Sequence, residues 1–213
     1  MKDASEAPRF DVRTVRTREQ IELAALEIFA ELGFEGASTR QIAARAGVKQ
    51  QLLSYHYKNK LGLWKATADR LFGACRERFE QRLAGLEGVD EATQTRLLLK
   101  EYLVFCSENP ELARFMMQVG ATPSERLSWL YEHHTRGLLE LVANRIGPTR
   151  KALGLADADV HHLTYLLMGA SAMFSQRAEY EMVAGQKVDD PDVVARFADL
   201  VVEMLLGGPE GVG

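Results

Sequence analysis

The residues with the clearest chemical potential lie between Arg45 and Lys60, where the sequence reads RAGVKQQLLSYHYKNK. The stretch holds four Lys or Arg side chains, no acidic side chain, and the adjacent pair Gln50 and Gln51. A glutamine amide can donate to and accept from a base edge, best that of adenine, while basic side chains suit phosphate oxygens. These residue types at this spacing indicate binding to a nucleic acid rather than covalent catalysis.

The charge of the chain is distributed unevenly. The 213 residues carry a formal net charge of −4, yet residues 1–65 hold 11 Lys or Arg against 8 Asp or Glu, a charge of +3. Residues 36–65 contain six basic residues and no acid. Because a polyanion meets the local potential, the acidity of the whole chain does not argue against nucleic acid as a partner.

Two short helices must position these side chains. One is predicted from Thr39 to Ala46, a turn follows at Gly47-Val48, and the next helix runs from Gln50 to about Tyr55. Such a pair, with polar side chains on the second helix, is typical of a helix-turn-helix motif, whose second helix enters the major groove of DNA. The alternative is an ordinary basic, solvated helix, since such patterns also occur without DNA binding.

Capping residues, prolines and glycines predict the remaining helices. The first helix runs from a capping-box pattern at Thr17 to Gly33, and a long helix starts near Lys60. Later helices begin or end at Asn109-Pro110, Thr122-Pro123, Gly147-Pro148, Asp159, Gly185 and Asp190-Pro191. The predicted fold class is all-α, with about nine helices, an N-terminal three-helix helix-turn-helix domain and a C-terminal helical domain.

The segment from Ser38 to Leu63 resembles the DNA-binding signature of the tetracycline-repressor (TetR) family. That signature has a Thr-x-x-Ile-Ala start, an Ala-Gly-Val turn, an aromatic block around a histidine, and Lys-x-Lys. The matching elements here are Thr39, Ile42-Ala43, Ala46-Gly47-Val48, Leu53, Tyr55-His56-Tyr57 and Lys58-Asn59-Lys60. The sequence departs from the family at Ser54, where tyrosine is usual, and at Leu52, where small or hydroxyl residues are common.

The resemblance implies DNA contacts for eleven side chains. Gln50 and Gln51 would read bases, Leu52 would pack on a thymine methyl group, and Thr39 would bond a phosphate at a helix N-terminus. The full set is Thr39, Arg40, Lys49, Gln50, Gln51, Leu52, Ser54, Tyr55, His56, Lys58 and Lys60. Upstream, Arg9, Arg13 and Arg16 could follow a minor groove, or they could belong to an untethered tail.

A second copy of the chain is also implied by the resemblance, because the family dimerises through its last two long helices. A dimer would match the two half-sites of a palindromic double-stranded operator. These helices correspond here to residues 160–183 and 193–206, whose apolar stripes could otherwise be core. The expected interface residues are Leu163, Leu167, Ala170, Phe174, Val194, Phe197, Val201 and Leu205.

The family keeps a ligand pocket in the middle of the chain, here residues 90–146 with part of the later helix. Methionines and aromatic residues suit an adaptable cavity for an apolar or aromatic effector, although they suit a closed core equally well. The candidate pocket residues are Tyr102, Phe105, Phe115, Met116, Gln118, Trp129, His133, Tyr165, Met168 and Met173.

Several classes of site and protein are not expected. In each of the pairs His133-His134 and His161-His162, the two side chains would point about 100° apart on a helix. No further His or carboxylate at i,i+4 spacing completes a ligand set with either pair, so we expect no metal and no cofactor. Cys75 and Cys106 fit reduced core thiols. No apolar run is long enough to span a membrane, and no secretory signal begins the sequence, so we expect a cytoplasmic protein.

The expected regions are a flexible arm (1–16), a helix-turn-helix DNA-binding domain (17–62), a ligand-binding and dimerisation domain (63–207) and a disordered tail (208–213). We expect a homodimeric regulator, a repressor released from its operator by a small molecule. One alternative is a helical binding or scaffold protein with a nonspecific basic face. The other is a helical enzyme using the C-terminal pocket, which no nucleophile–base pair, phosphate loop or metal set supports.

Overall fold

The computed structural model describes residues 12–208, with side chains from residue 14 onward, and all regular elements in this range are helical. The α-helices are α1 (Val12–Gly36), α2 (Thr39–Arg45), α3 (Gln50–His56), α4 (Lys60–Ala84), α5 (Glu91–Glu108), α6 (Glu111–Gly120), α7 (Glu125–Leu130), α8 (Arg136–Ala152), α9 (Val160–Ser171), α10 (Arg177–Ala184) and α11 (Pro191–Leu206). A π-helical turn, Tyr131–Thr135, joins α7 to α8, and a 3-10 turn, Ala172–Ser175, follows α9. The all-α prediction is confirmed.

Two compact units make up the chain, divided between Arg70 and Leu71 inside α4. The first unit contains α1, α2, α3 and the first part of α4. Its core is formed by side chains such as Ile21, Phe29 and Trp64, which are almost completely buried. The second unit contains the rest of α4 and the helices α5 to α11.

The first helix starts earlier than predicted. It begins at Val12, so Thr17 lies inside the helix and does not cap it. No glycine or proline lies between Pro8 and Gly33 to stop the helix from extending upstream. The predicted break at Gly33 is confirmed, since its φ of 67° and ψ of 178° are not helical. Arg16 is therefore helical, whereas Arg9, the Arg13 side chain and residues 209–213 of the expected tail lie outside the described part.

In the second unit, α11 packs mainly against α5 and also contacts α8 and α9. The C-terminal end of α11 is held by two arginines. Arg96 donates to the carbonyl oxygens of Gly207 (2.7 Å) and Leu206 (3.0 Å), and Arg150 donates to that of Leu205. These cations satisfy carbonyl groups that the last turn of a helix leaves without partners.

Two further predicted helix boundaries, at the start of α7 and inside α8, are wrong. Ser124, not Thr122, caps α7, because its hydroxyl accepts a hydrogen bond from the Leu127 amide at 3.1 Å. Helix α8 continues through Pro148 and ends at Ala152. Proline removes only one helical donor, and the buried Thr149 beside it contacts another buried threonine hydroxyl across the core.

The predicted helix of residues 160–183 is also interrupted. It turns at Ala172–Ser175 before α10 begins, and Gly185, with a φ of 66°, ends α10 as expected. Arg114 of α6 stabilises the interruption by donating to the Ser175 carbonyl oxygen at 2.8 Å. The predicted start of α11 is confirmed, since Asp190 caps the helix and Pro191 is its first residue.

Candidate nucleic-acid interface and apolar cavity

The pair α2 and α3 is fixed locally by a capping box and a glycine turn. The Ser38 hydroxyl accepts from the Gln41 amide (3.2 Å), and the Gln41 side chain accepts from the Ser38 amide (2.9 Å). Gly47 has a φ of 66°, a conformation that glycine adopts without steric cost, and the Val48 amide then bonds the Ala43 carbonyl oxygen. This geometry confirms the predicted helix–turn–helix arrangement.

Helix α3 has one buried face and one exposed face. Leu53 is 1% exposed and anchors the helix in the first unit, as does Tyr57 just beyond its end. The Tyr57 hydroxyl donates to a Glu22 carboxylate oxygen at 2.8 Å, and burial raises the pKa of Tyr57. The supported helix thus presents its other side chains to solvent.

The exposed residues near α2 and α3 include most of the predicted DNA contacts. Tyr55 is 81% exposed, and Gln51 is exposed on the same short helix, where its side chain has no hydrogen-bond partner among residues 12–208. Gln50 is exposed as well, but its amide nitrogen lies 3.2 Å from the Thr39 hydroxyl, which links α3 to α2. The exposed set is Arg40, Lys49, Gln50, Gln51, Leu52, Ser54, Tyr55 and Lys58, while Thr39 and His56 are half-buried.

The structure gives Lys60 a different position from the one the resemblance implied. Its ammonium group donates to the carbonyl oxygens of Phe34 (2.8 Å) and Ala37 (3.1 Å). It also lies 4.4 Å from the centroid of the Phe34 ring. Since these contacts occupy the cation, Lys60 supports the first unit rather than offering a free charge to a phosphate.

An apolar cavity of about 70 Å³ lies in the second unit. Three predicted pocket residues, Tyr102, Met116 and Met168, line it. The lining residues that the sequence interpretation missed are Phe72, Cys75, Phe79, Leu112, Thr135, Leu138, Leu139, Val142, Thr164 and Leu167. Phe72, Cys75 and Phe79 recur at helical spacing on α4, but periodicity does not tell which helices such a stripe faces.

The other seven predicted pocket residues lie elsewhere. Phe105 and Phe115 are buried in the core outside the cavity lining, and Trp129 is half-buried against His133. The remaining four are the exposed Gln118, His133 and Tyr165, and Met173, which lines a separate groove. Neighbouring residues of one helix face different directions, so only some residues of the predicted pocket segment face the cavity.

The π-helical turn places His134, rather than His133, in the interior. The His134 ring stacks on Phe72 with centroids 5.4 Å apart, and its Nδ1 atom lies 3.5 Å from an Arg76 guanidinium nitrogen. The one-residue change in helical period shifts which face of the helix points inward. No cluster of three His, Cys, Asp or Glu that could hold a metal occurs within residues 12–208.

Most of the predicted interface residues are buried within the single chain. Leu163, Leu167, Phe174, Val194, Val201 and Leu205 are buried, and Ala170 and Phe197 are half-buried. Helix α11 packs on α5 and α9 packs on α8, so the six buried side chains are covered within the unit and do not face outward. The exposed apolar side chains on α9, α10 and α11 are Tyr165, Leu166, Met182, Val183, Leu200 and Met204.

Comparison with known proteins agrees with the helix-turn-helix geometry. The family model described as "Bacterial regulatory proteins, tetR family" matches residues 22–67. An uncharacterized HTH-type transcriptional regulator from the dhlA 5′ region of Xanthobacter autotrophicus is 30% identical over 137 residues, 62% of this chain and 68% of that protein. The HTH-type regulator BetI of Escherichia coli is 31% identical over 112 residues, 46% of this chain and 57% of BetI.

Solved structures show the same fold along most of the chain. HlyIIR, a hemolysin II transcriptional regulator, superposes with a TM-score of 0.64 at 21% identity, covering 91% of this chain and 98% of its own. The regulator FadR from Bacillus subtilis, in complex with stearoyl-CoA, superposes with a TM-score of 0.63 at 18% identity, covering 92% of this chain and 99% of the FadR chain.

The fold and the exposed face of α3 are those of a helix-turn-helix DNA-binding regulator. The chain belongs to the TetR family of bacterial transcriptional regulators. No helix within residues 12–208 has the length and apolarity needed to cross a membrane.

Proposed function

We propose that this chain is a ligand-responsive repressor that binds a palindromic operator as a homodimer and leaves it when a small molecule binds the second unit. The observation that carries the proposal is the N-terminal part of α3. There, exposed polar side chains stand on a helix that is anchored through Leu53 and the Gly47 turn. Such a helix fits the major groove with its first residues at the base edges.

The contacts divide into two kinds. Gln51 has an unengaged amide and would read a base, and Leu52 beside it would pack on a thymine methyl group. Arg40, Lys49 and Lys58 have exposed cationic heads and would contact phosphates, which fix the register without reading sequence. Thr39 and His56, both half-buried, and the exposed Tyr55 would add further contacts to the DNA backbone.

A second copy would cover the exposed apolar residues near the C-terminus. Met182 and Val183 of α10 and Met204 of α11 are at least three-quarters exposed, and Leu166 and Leu200 are more than half exposed. Clusters of this kind on a regulator mark an interaction surface. A symmetric dimer would bring two α3 helices to the two halves of a palindrome.

Release requires that the effector bind better to a conformation unsuited to the operator. Helix α4 offers the path, because it begins at Lys60, just after α3, and carries Phe72, Cys75 and Phe79 of the cavity lining. The stearoyl-CoA complex of FadR supports this proposal only as a ligand complex of a similar fold. A regulator of this type acts where the bacterial chromosome is, so we place it in the cytoplasm.

A nonspecific basic binding protein is the competing function, and selection of duplexes from a random DNA pool separates the two. Purified protein should enrich a palindrome with two related half-sites, and the enriched duplex should bind about 10³-fold or more tightly than random DNA at equal salt. A pool that stays random, with binding lost at moderate salt, would favour the nonspecific protein instead.

A further inference from the structure

We propose that the effector of the second unit is an uncharged molecule of about one ring, with an apolar body and a carbonyl-type oxygen that accepts a hydrogen bond from Tyr102. The inference rests on the proposed function for its biological meaning, and names the ligand class that the cavity takes. It depends on three properties of the cavity: its size, the absence of charge from its lining, and one hydroxyl group.

The volume sets the size of the ligand. The cavity of about 70 Å³ has room for roughly five to seven water-sized spheres at about 10–15 Å³ each, and it is about half the size of a cavity of roughly 150 Å³ that binds benzene. The ligand can therefore be no larger than about one ring. Met116 and Met168 line the cavity, and flexible methionine side chains can adjust to a somewhat larger guest.

The lining sets the charge of the ligand. Ten of its residues are apolar, the other three are Tyr102, Thr135 and Thr164, and none is ionised at neutral pH. A charged group moved from water into such surroundings without a partner costs far more free energy than apolar contacts return. The charged residues Arg76, Glu80, Glu132, Arg136 and Glu140 line a neighbouring pocket, which shares Phe79 and Leu138 with the cavity but is not part of its lining.

Tyr102 is the hydroxyl group best placed to act as a donor. Its oxygen lies 3.3 Å from the Ser171 hydroxyl, which gives its own proton to the Met168 carbonyl oxygen at 2.7 Å. Ser171 can then only accept from Tyr102, over a long contact, and the nearby Cys106 sulfur is a weak acceptor. Burial raises the pKa of Tyr102 well above its ordinary value, so the phenol keeps its proton. A carbonyl oxygen would be a better acceptor for it.

The two threonines of the lining are less suitable. The Thr164 hydroxyl already donates to the Val160 carbonyl oxygen at 2.7 Å. Thr135 lies at the end of the π-helical turn, and its side chain is half-buried rather than enclosed. Thr135 therefore provides a matched control for the role of Tyr102, since both residues line the same cavity and both carry a hydroxyl group.

The test uses the full chain with ¹³C-methyl-labelled methionine and three probes of similar size: ethylbenzene, acetophenone and benzoate. The methyl signals of Met116 and Met168 report the cavity, and those of the exposed Met117 and Met204 serve as controls. We expect ethylbenzene and acetophenone to shift only the cavity signals, and benzoate to shift neither at the concentrations that saturate acetophenone.

Two variants test the hydrogen bond. Tyr102→Phe should weaken the binding of acetophenone about three- to tenfold, which is the range for one hydrogen bond. The affinity for ethylbenzene should change by less than about twofold. Thr135→Val should not change the ratio of the two affinities. Comparable binding of benzoate, an equal effect of Tyr102→Phe on both neutral probes, a selectivity change only in Thr135→Val, or no shift with any probe would each overturn the proposal.

The titration contains no DNA, so its outcome is independent of the proposed function. Acetophenone that binds the cavity but leaves the operator complex intact would contradict the proposed release mechanism while supporting the ligand class. Release of the operator by benzoate, without a shift of the cavity methionines, would contradict the ligand class alone.

Discussion

The ammonium group of Lys60 and the backbone of Phe34 are joined in the first unit by a hydrogen bond of 2.8 Å, with the cation also 4.4 Å from the centroid of the Phe34 ring. A further bond to the Ala37 carbonyl oxygen completes the contact. The start of α4 is thereby fixed to the segment that precedes α2. The two lysines of the Lys-x-Lys motif therefore have different surroundings, because Lys60 is engaged within the first unit whereas Lys58 is exposed.

Substitution of these two lysines should give opposite patterns. Lys60→Ala should lower the free energy of unfolding by about 1.5–3 kcal/mol, the range for a hydrogen bond made by a charged group. Lys58→Ala should leave stability unchanged and reduce the slope of log K against log salt by about one. Urea denaturation and salt titration of DNA binding measure the two effects. A stable Lys60→Ala protein with a reduced slope would show that Lys60 contacts phosphate after all.

The two tyrosines at the end of α3 should also differ. Tyr57→Phe removes a buried hydroxyl that donates to Glu22, and should cost about 1.5–3 kcal/mol of stability. Tyr55→Phe removes an exposed hydroxyl, so it should leave stability unchanged and weaken DNA binding. Chemical denaturation of both variants, with DNA affinity measured on each, provides the comparison. Equal losses of stability would contradict the assigned burial of the two groups.

The two cysteines should be slow to react. Burial raises the pKa of Cys75 to about 12 and that of Cys106 to about 11, so both thiols are protonated near pH 8. Ellman's reagent should modify them rapidly in urea but at least about tenfold more slowly in the native chain, because pKa shifts of two units or more remove the thiolate. Rapid native labelling of both cysteines would show that these sites are open.

The same pKa shifts predict a loss of stability in alkali. An unfolded thiol ionises near pH 9, whereas the folded thiols hold their protons until about pH 11 to 12. The contribution of the thiols is therefore complete below pH 9 and is lost as the pH rises through the folded pKa values. The double variant Cys75→Ala, Cys106→Ala should show a shallower fall of unfolding free energy between pH 9 and 11. An unchanged slope would exclude this contribution.

Met204 should be needed for self-association. It is 75% exposed on α11, and Met204→Glu would place a charge within the proposed dimer interface. Sedimentation velocity should show a dimer for the unmodified chain and a marked shift to monomer for this variant. Met117→Glu is the matched control, because Met117 is 54% exposed on α6, outside the proposed interface. Dissociation by both changes, or by neither, would place the interface elsewhere.

Local sequence signals predicted the first unit well. The Gly47 turn, the capping residue before α2 and the buried Leu53 are all encoded within a few residues of the positions they fix. The role of Lys60 was not predictable from its neighbours, because its partners, Phe34 and Ala37, are more than 20 residues away in sequence. Contacts over such separations depend on how helices pack, which periodicity does not specify.

In the second unit too, local signals predicted the helices but not how the helices pack. Helical stripes identified α9 and α11 as apolar, yet α11 packs mainly on α5, and its predicted interface residues Val194, Val201 and Leu205 are buried within the single chain. Leu200 and Met204 lie one helical turn apart and are both exposed, and their spacing was the available signal for an outward apolar face. The turn after α9 was missed because Arg114, which bonds the Ser175 carbonyl oxygen, lies in a different helix.

Gln51→Ala separates the reading of bases by α3 from nonspecific binding to DNA. The affinity of the native chain and of this variant would be measured at one salt concentration for the selected operator and for the same duplex with both half-sites scrambled. We predict a loss of about 1–3 kcal/mol per contacted half-site on the operator and almost none on the scrambled duplex. Equal losses on both duplexes, or no loss on either, would show that Gln51 does not read sequence and would contradict the account.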